Sequence, residues 1–305
     1  MEVLTARKIF MLAKKSENIS KRTLELYDDT LKRFSVCLSS ENVLMVEEIT
    51  ATNVREYLLK LQEAGLRGIT QHKHFRILRT FARFLHQEDI IQKRFTDNVK
   101  PPRREQKPMR TYTKVEINKI LGSFNRDTFT GLRDYTMMLT LFSSGVRLGE
   151  LLNLQLSDVN ITTDLIQIRH GKGDKTRFVP IARTLRRNLK AYFIRRDEVL
   201  GGELCPWLFI STRKDSRKFT DSGINCIFRR LKKSFNFEGE KFSSHTWRHT
   251  FAKTYLLNGG DLISLQKLLG HADITTTRGY LNLNDAEIKQ QHALFNPLDN
   301  SNWAQ

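Results

Sequence analysis

Apolar residues recur three and four positions apart through most of this chain, and the stripes they draw are helical. In SKRTLELYDDTLKRFSVCLS, residues 20–39, Leu24, Tyr27, Leu31, Phe34 and Leu38 share one face, and Ser20 is placed to cap the helix. The stretch TATNVREYLLKLQEAG predicts a second helix, beginning at Thr50 or Thr52 and stopped by Gly65. A third runs through TQHKHFRILRTFARFLHQ. There Ile77, Leu78, Phe81, Ala82, Phe84 and Leu85 fall on one side, and His72, Arg76, Arg79 and Arg83 on the other. Helical stripes return near 114–124, 130–144, 182–198, 220–235, 246–258, 261–269 and 284–293. Between them, LIQIR (165–169) and RFVPI (177–181) are β-branched runs separated by the Gly-rich turn HGKGDKT, which predicts a hairpin. The fold class expected is mainly α with a small antiparallel β-hairpin or sheet.

The pattern breaks at residues 98–112, NVKPPRREQKPMRTY, which carry three prolines, five basic residues and little that is apolar. Proline makes such a linker extended. It divides a helical N-terminal domain, 1–97, from a larger mixed α/β domain, 113–293, with a tail at 294–305. A length of 305 residues also favours two cores over one.

Charge narrows the partners. Lys+Arg outnumber Asp+Glu by 51 to 33, a formal net charge of +18. Such a field draws polyanions, nucleic acid first among them, although ribosome-associated and membrane-surface proteins share it. No apolar run approaches the ~18–20 residues of a membrane-spanning helix, and the N-terminus lacks the features of a secretory signal. A cytoplasmic protein is expected. Cys37, Cys205 and Cys226 are scattered with no CxxC, which suggests neither a disulfide framework nor a cysteine zinc site.

Four clusters could carry chemistry. In SSHTWRHTFAKTYLLNGG (243–260), His245 and His249 have metal-ligand spacing, but Arg248 stands between them and no carboxylate is near in sequence. A guanidinium beside imidazoles at a helix N-terminus suits an anion better than a cation. In LFSSGVRLGELLNLQLSDVN (141–160), Arg147 lies among apolar residues with Glu150 three positions on. That is either a structural ion pair or a guanidinium steadied for a ligand. Lys172 stands between Gly171 and Gly173 in the hairpin turn. In LGHADITTTRGY (269–280), Gly270 ends a helix, His271 follows, and Tyr280 comes after a threonine-rich bend. A tyrosine hydroxyl, with an unperturbed pKa near ~10, attacks only where cations stabilise the phenolate.

The order R-L-G-E-L-L, G-K-G after a strand, H-x-x-R-H-T-F-A, L-G-H, then a tyrosine nine residues on, resembles the tyrosine recombinase (phage integrase) family. The likeness is to its Xer-type recombinases and integrases of mobile elements, and it covers nearly the whole chain. It implies a helical core-binding domain joined to a catalytic domain, and it assigns roles by position. Arg147 and Arg248 would hold the non-bridging oxygens of the scissile phosphate. His245 would serve between general base and phosphate ligand, Lys172 would protonate the departing 5′ oxygen, His271 would contact the phosphate, and Tyr280 would be the nucleophile. Glu150 and His249 would support them. Leu281-Asn282 depart from the Thr-His pair often found after the tyrosine.

The activity implied is metal-independent transesterification through a 3′-phosphotyrosyl link, with no cofactor. The partners implied are double-stranded DNA recombination sites, a homotetramer on that DNA with C-terminal segments exchanged, and accessory bending or directionality proteins, in a prokaryotic, nucleoid-associated setting. The task could be integration, excision or resolution. A type IB topoisomerase-like enzyme, a non-catalytic architectural DNA-binding protein and a metal-dependent transposase are the competing readings. Further DNA contacts are expected from Arg76, Arg79 and Arg83, from Arg103 and Arg104 in the linker, and from Arg229, Arg230, Lys232 and Lys233 in FRRLKKSF. Nine residues of unbroken helix would hold His271 and Tyr280 ~13 Å apart. Either that segment folds back, or a neighbouring protomer supplies the tyrosine.

Overall fold

The computed structural model describes the chain apart from residues 104–109, 170–175, 214–216, 236–241, 272, 275, 276, 278, 280–284 and 296–305. It divides into two compact units, Met1–Lys107 and Pro108–Gln305.

The first unit is helical: α1 Val3–Ser16, α2 Lys21–Ser40, α3 Ala51–Glu63 and α4 Gly68–Gln87. Ser20 caps α2, its hydroxyl accepting from the Thr23 N–H at 3.2 Å. Thr50 caps α3 and receives a reciprocal bond, its own N–H donating to Asn53 Oδ1 at 2.8 Å. Gly65 ends that run in the left-handed region. The inward faces of α2 and α4 are those the periodicity marked, and Phe34, Leu38, Leu78, Phe81 and Leu85 are fully buried. Phe10 stands edge-on to Phe81 and Phe84, with centroids 5.3 Å away in each case. Deleting a ring so placed costs ~3–5 kcal/mol. Helix α1 was not expected. It buries only Val3, Ala6 and Phe10, while Leu4 and Leu12 face outward, so apolar residues on both sides hide its period. Val99, at the edge of the proline-rich stretch, is part of this core.

The second unit opens on Tyr112, which is buried with its ring 4.9 Å from that of Trp247 and its N–H on Thr250 Oγ1. Next come α5 Lys114–Gly122, α6 Phe129–Ser144 and α7 Leu148–Asn153. Three short strands follow, β1 Val159–Asn160, β2 Leu165–Ile168 and β3 Arg177–Pro180. They form an antiparallel sheet in that order, with Ile166 opposite both Val159 and Val179. The expected hairpin is therefore two of three strands; β1 is too short to show a period of two. Helices α8 Arg183–Leu200, α9 Asp221–Ser234, α10 Ser244–Leu257 and α11 Leu262–Leu269 complete the unit, with a C-terminal helix Asp285–Phe295. Both α6 and α10 are buried on most of their faces, and Trp247 is wholly enclosed. Two crowded helices packed together give whatever projects between them a fixed frame.

Candidate active site

Helix α6 ends at Gly145, which takes a left-handed conformation with φ 61°. A β-carbon there would meet Phe251 Cδ1 at 2.3 Å and Leu269 Cδ2 at 2.8 Å, so only glycine lets α6, α10 and α11 close on one another. Two residues later Arg147 caps α7. Its N–H donates to Glu150 Oε2 at 2.7 Å, and its Nη1 donates to Oε1 at 2.9 Å.

Helix α10 begins at the Ser243 cap and carries Arg248 one turn in, with only 4% of the residue exposed. Its Nη1 donates to the Gly145 carbonyl at 2.6 Å and its Nη2 to the Leu269 carbonyl at 2.7 Å. The same Nη2 lies 2.8 Å from His271 Nε2. Because arginine only donates, that ring nitrogen accepts, and Nδ1 carries the proton toward Thr277 Oγ1, 2.8 Å away. Burial, then the cations Arg248, Arg147 and Arg177, hold the His271 pKa down to about 4, so the ring is neutral.

Arg177, at the start of β3, was missed by the sequence reading. Its Nη1 and Nη2 reach Glu150 Oε1 and Oε2 at 2.9 and 2.8 Å, and its Nε donates to the Leu268 carbonyl at 2.8 Å. Burial favours a neutral Glu150, but the charged bonds from Arg177 and Arg147 outweigh it and hold the carboxyl at about 2.

The arginines share one anchor. The last carbonyls of a helix lack internal partners and carry its negative dipole end. Of those closing α11, Leu268 receives Arg177, Leu269 receives Arg248, and Gly270 receives Arg147 at 3.3 Å. Like charges repel, by ~4 kcal/mol for a pair 4 Å apart in an effective dielectric of 20. The helix end and the Glu150 carboxylate offset that repulsion. Arg147 keeps 42% of its side chain exposed against 9% for Arg177, so it is Arg147 that reaches outward.

The structure thus brings Arg147, Glu150, Arg248 and His271 together. His245 is exposed in the first turn of α10, its ring 6.5 Å from that of His249. His249 is held near pKa 4 by burial and by the neighbouring His245 and Arg248. Lys172, Tyr280 and Arg104 lie outside the described residues, as do Leu281 and Asn282. Arg76, Arg79, Arg83, Arg103, Arg229, Arg230, Lys232 and Lys233 are all exposed, Arg230 with a 3.2 Å contact to Asp134. Leu294 and Phe295 are half exposed, and a Glu287–Lys253 ion pair ties their helix to α10. Among the described residues no three His, Cys, Asp or Glu side chains gather as a metal site, and no helix is long and apolar enough to cross a membrane.

Residues 110–287 match the phage integrase family, and residues 12–89 match its N-terminal SAM-like domain. The chain is 29% identical to the tyrosine recombinase XerC of Staphylococcus haemolyticus (strain JCSC1435), over 94% of each chain. It is 27% identical to the tyrosine recombinase XerD of the same organism, over 92% of this chain and 94% of that one. Among solved structures, the XerA recombinase superposes with a TM-score of 0.55 at 28% identity, covering 97% of this chain and 99% of that one. The Tn1549 transposon integrase in complex with transposon right end DNA shares the fold more closely, with a TM-score of 0.77 at 18% identity over 97% and 99%.

Proposed function

The chain belongs to the phage integrase family, and from that premise we propose that it is a tyrosine-type site-specific DNA recombinase, cutting and rejoining duplex DNA without a metal ion. The observation that carries this reading is the trio of guanidiniums gathered at the end of α11, two of them at the positions the family reserves for phosphate.

In this reading Tyr280 Oη attacks the scissile phosphorus in line with the 5′ oxygen. His245 takes the phenolic proton, Arg147 and Arg248 stabilise the charge that builds on the non-bridging oxygens, and Lys172 gives the departing oxygen its proton. The P–O5′ bond breaks as the P–Oη bond forms, leaving a 3′-phosphotyrosine and a free 5′-hydroxyl. Because the bond energy is kept, rejoining needs no nucleotide. His271 stands in the phosphate's surroundings, where its Nε2 holds Arg248 in place, and Glu150 and His249 support the set. Fixed cations suit this chemistry, since they need not reorganise as charge develops.

DNA recombination sites are the substrate. A homotetramer on paired sites, with the tail 294–305 exchanged between protomers, and accessory bending or directionality proteins complete the reading, which puts the enzyme on prokaryotic nucleoid DNA in the cytoplasm. The basic face of α4 and the exposed cations of α9 would follow the phosphate backbone. Two sites from the element's own ends, placed on one plasmid, test the proposal. The expected result is resolved or inverted product in EDTA. Supercoil relaxation with no exchange would point to a topoisomerase-like enzyme, and binding with no strand breakage to an architectural protein.

A further inference from the structure

An arginine paired with a carboxylate is held in place by it but loses to it part of the charge that a phosphate needs. Arg147 and Glu150 are such a pair, three residues apart and in contact. Arg177 changes the balance. It occupies both Glu150 oxygens with a two-pronged fork, and it is more deeply buried than Arg147. Its third bond, to the Leu268 carbonyl, pins β3 to the end of α11, one residue from the carbonyl that Arg248 uses and two from the one that Arg147 uses. Gly270 keeps this contact open, since a β-carbon there would sit 3.0–3.1 Å from Arg177 Nη1, Cδ and Cζ.

We propose that Arg177 is a positioning residue for strand cleavage: it compensates the charge of Glu150 and locks the end of α11, so that Arg147 meets the scissile phosphate as an uncompensated cation. The inference rests on the transesterification reading above. Lysine cannot replace it, because one ammonium cannot span two carboxylate oxygens and a carbonyl in a single plane. Around metal sites, removing the partners that orient the ligands costs ~10–100-fold in affinity or activity, and support of the same outer kind sets the scale here.

The test compares the enzyme with Arg177→Lys and Arg177→Met on two suicide substrates, one with an ordinary scissile phosphate and one with an uncharged methylphosphonate there. Circular dichroism and DNA-binding affinity are measured alongside. We expect both variants to fold and bind within a few-fold of the parent. Covalent-complex formation on the phosphodiester should slow by ~10–100-fold, and much less on the methylphosphonate, which has no negative charge to stabilise. Equal losses on the two substrates would reduce Arg177 to a packing residue and overturn the proposal. So would parental rates in both variants, or a loss wholly explained by unfolding of Arg177→Met while Arg177→Lys cleaves normally. If the parent enzyme itself forms no covalent complex, it is the recombinase reading that fails.

Discussion

One carboxylate decides how the residues of the site behave. Glu150 accepts from Arg147 and Arg177 through both oxygens, and those bonds hold its pKa at about 2 despite burial. Replacing it with glutamine leaves Arg177 facing a neutral amide that can accept at only one of its two atoms. Glu150→Gln is expected to lower the rate of covalent-complex formation by ~10–100-fold with DNA affinity little changed, read in single-turnover cleavage on a suicide substrate. The histidines set the acid limit. His249 and His271 sit near 4, below the ordinary ~6.5, so the unfolded chain binds protons in that window that the folded chain refuses. Stability is therefore complete above the upper value and is lost as pH falls toward the lower one, with Glu150 adding the same sign of loss below ~4.5. Melting temperature should fall through this window, and less steeply in His249→Gln. Arg147, Glu150, Arg248 and His271 were legible in the sequence because each sits in a motif beside its partner or helix end. Arg177 was not, because an arginine just after a glycine-rich turn reads as a solvated surface residue, and its partners Glu150 and Leu268 lie 27 and 91 positions away.

Elements meet at the site through their ends rather than their faces. The C-termini of α6 and α11, the N-termini of α7 and α10 and the start of β3 converge there, and glycine makes the two C-terminal stops. Gly145→Ala would force a left-handed conformation on an L-residue and drive its methyl into Phe251 and Leu269. The expected cost is about 2–5 kcal/mol, read by urea denaturation, with cleavage lost in proportion to the displacement of Arg248. Helix positions followed from periodicity wherever one face alone was apolar, as in α2 and α4. The pattern failed in α1, where apolar residues also face outward, and in β1, which is two residues long. No local signal reports that three consecutive carbonyls will receive three arginines from three different elements.

At the scale of the whole molecule, an excess of 18 positive charges must be spent somewhere. Arg76, Arg79 and Arg83 lie exposed along one side of α4, opposite its buried face. If they follow phosphates, each substitution by alanine lowers the slope of log affinity against log salt by about 0.9, uniformly across DNA sequences. Filter binding at several salt concentrations reads this directly; an unchanged slope would return that face to solvent. The two compact units meet within the proline-rich stretch, at Lys107 and Pro108, and the anchoring of Val99 and Tyr112 within the two cores was not legible, because a lone apolar residue in a basic linker shows no period. If clustered guanidiniums let a single phenol attack one DNA phosphorus, the adduct can be read by mass spectrometry of the protease-digested covalent complex trapped on a nicked substrate in EDTA. The expected result is a peptide carrying a 3′-phosphonucleotide on Tyr280, absent in Tyr280→Phe; an adduct on any other side chain, or one that persists in Tyr280→Phe, would rule this chemistry out.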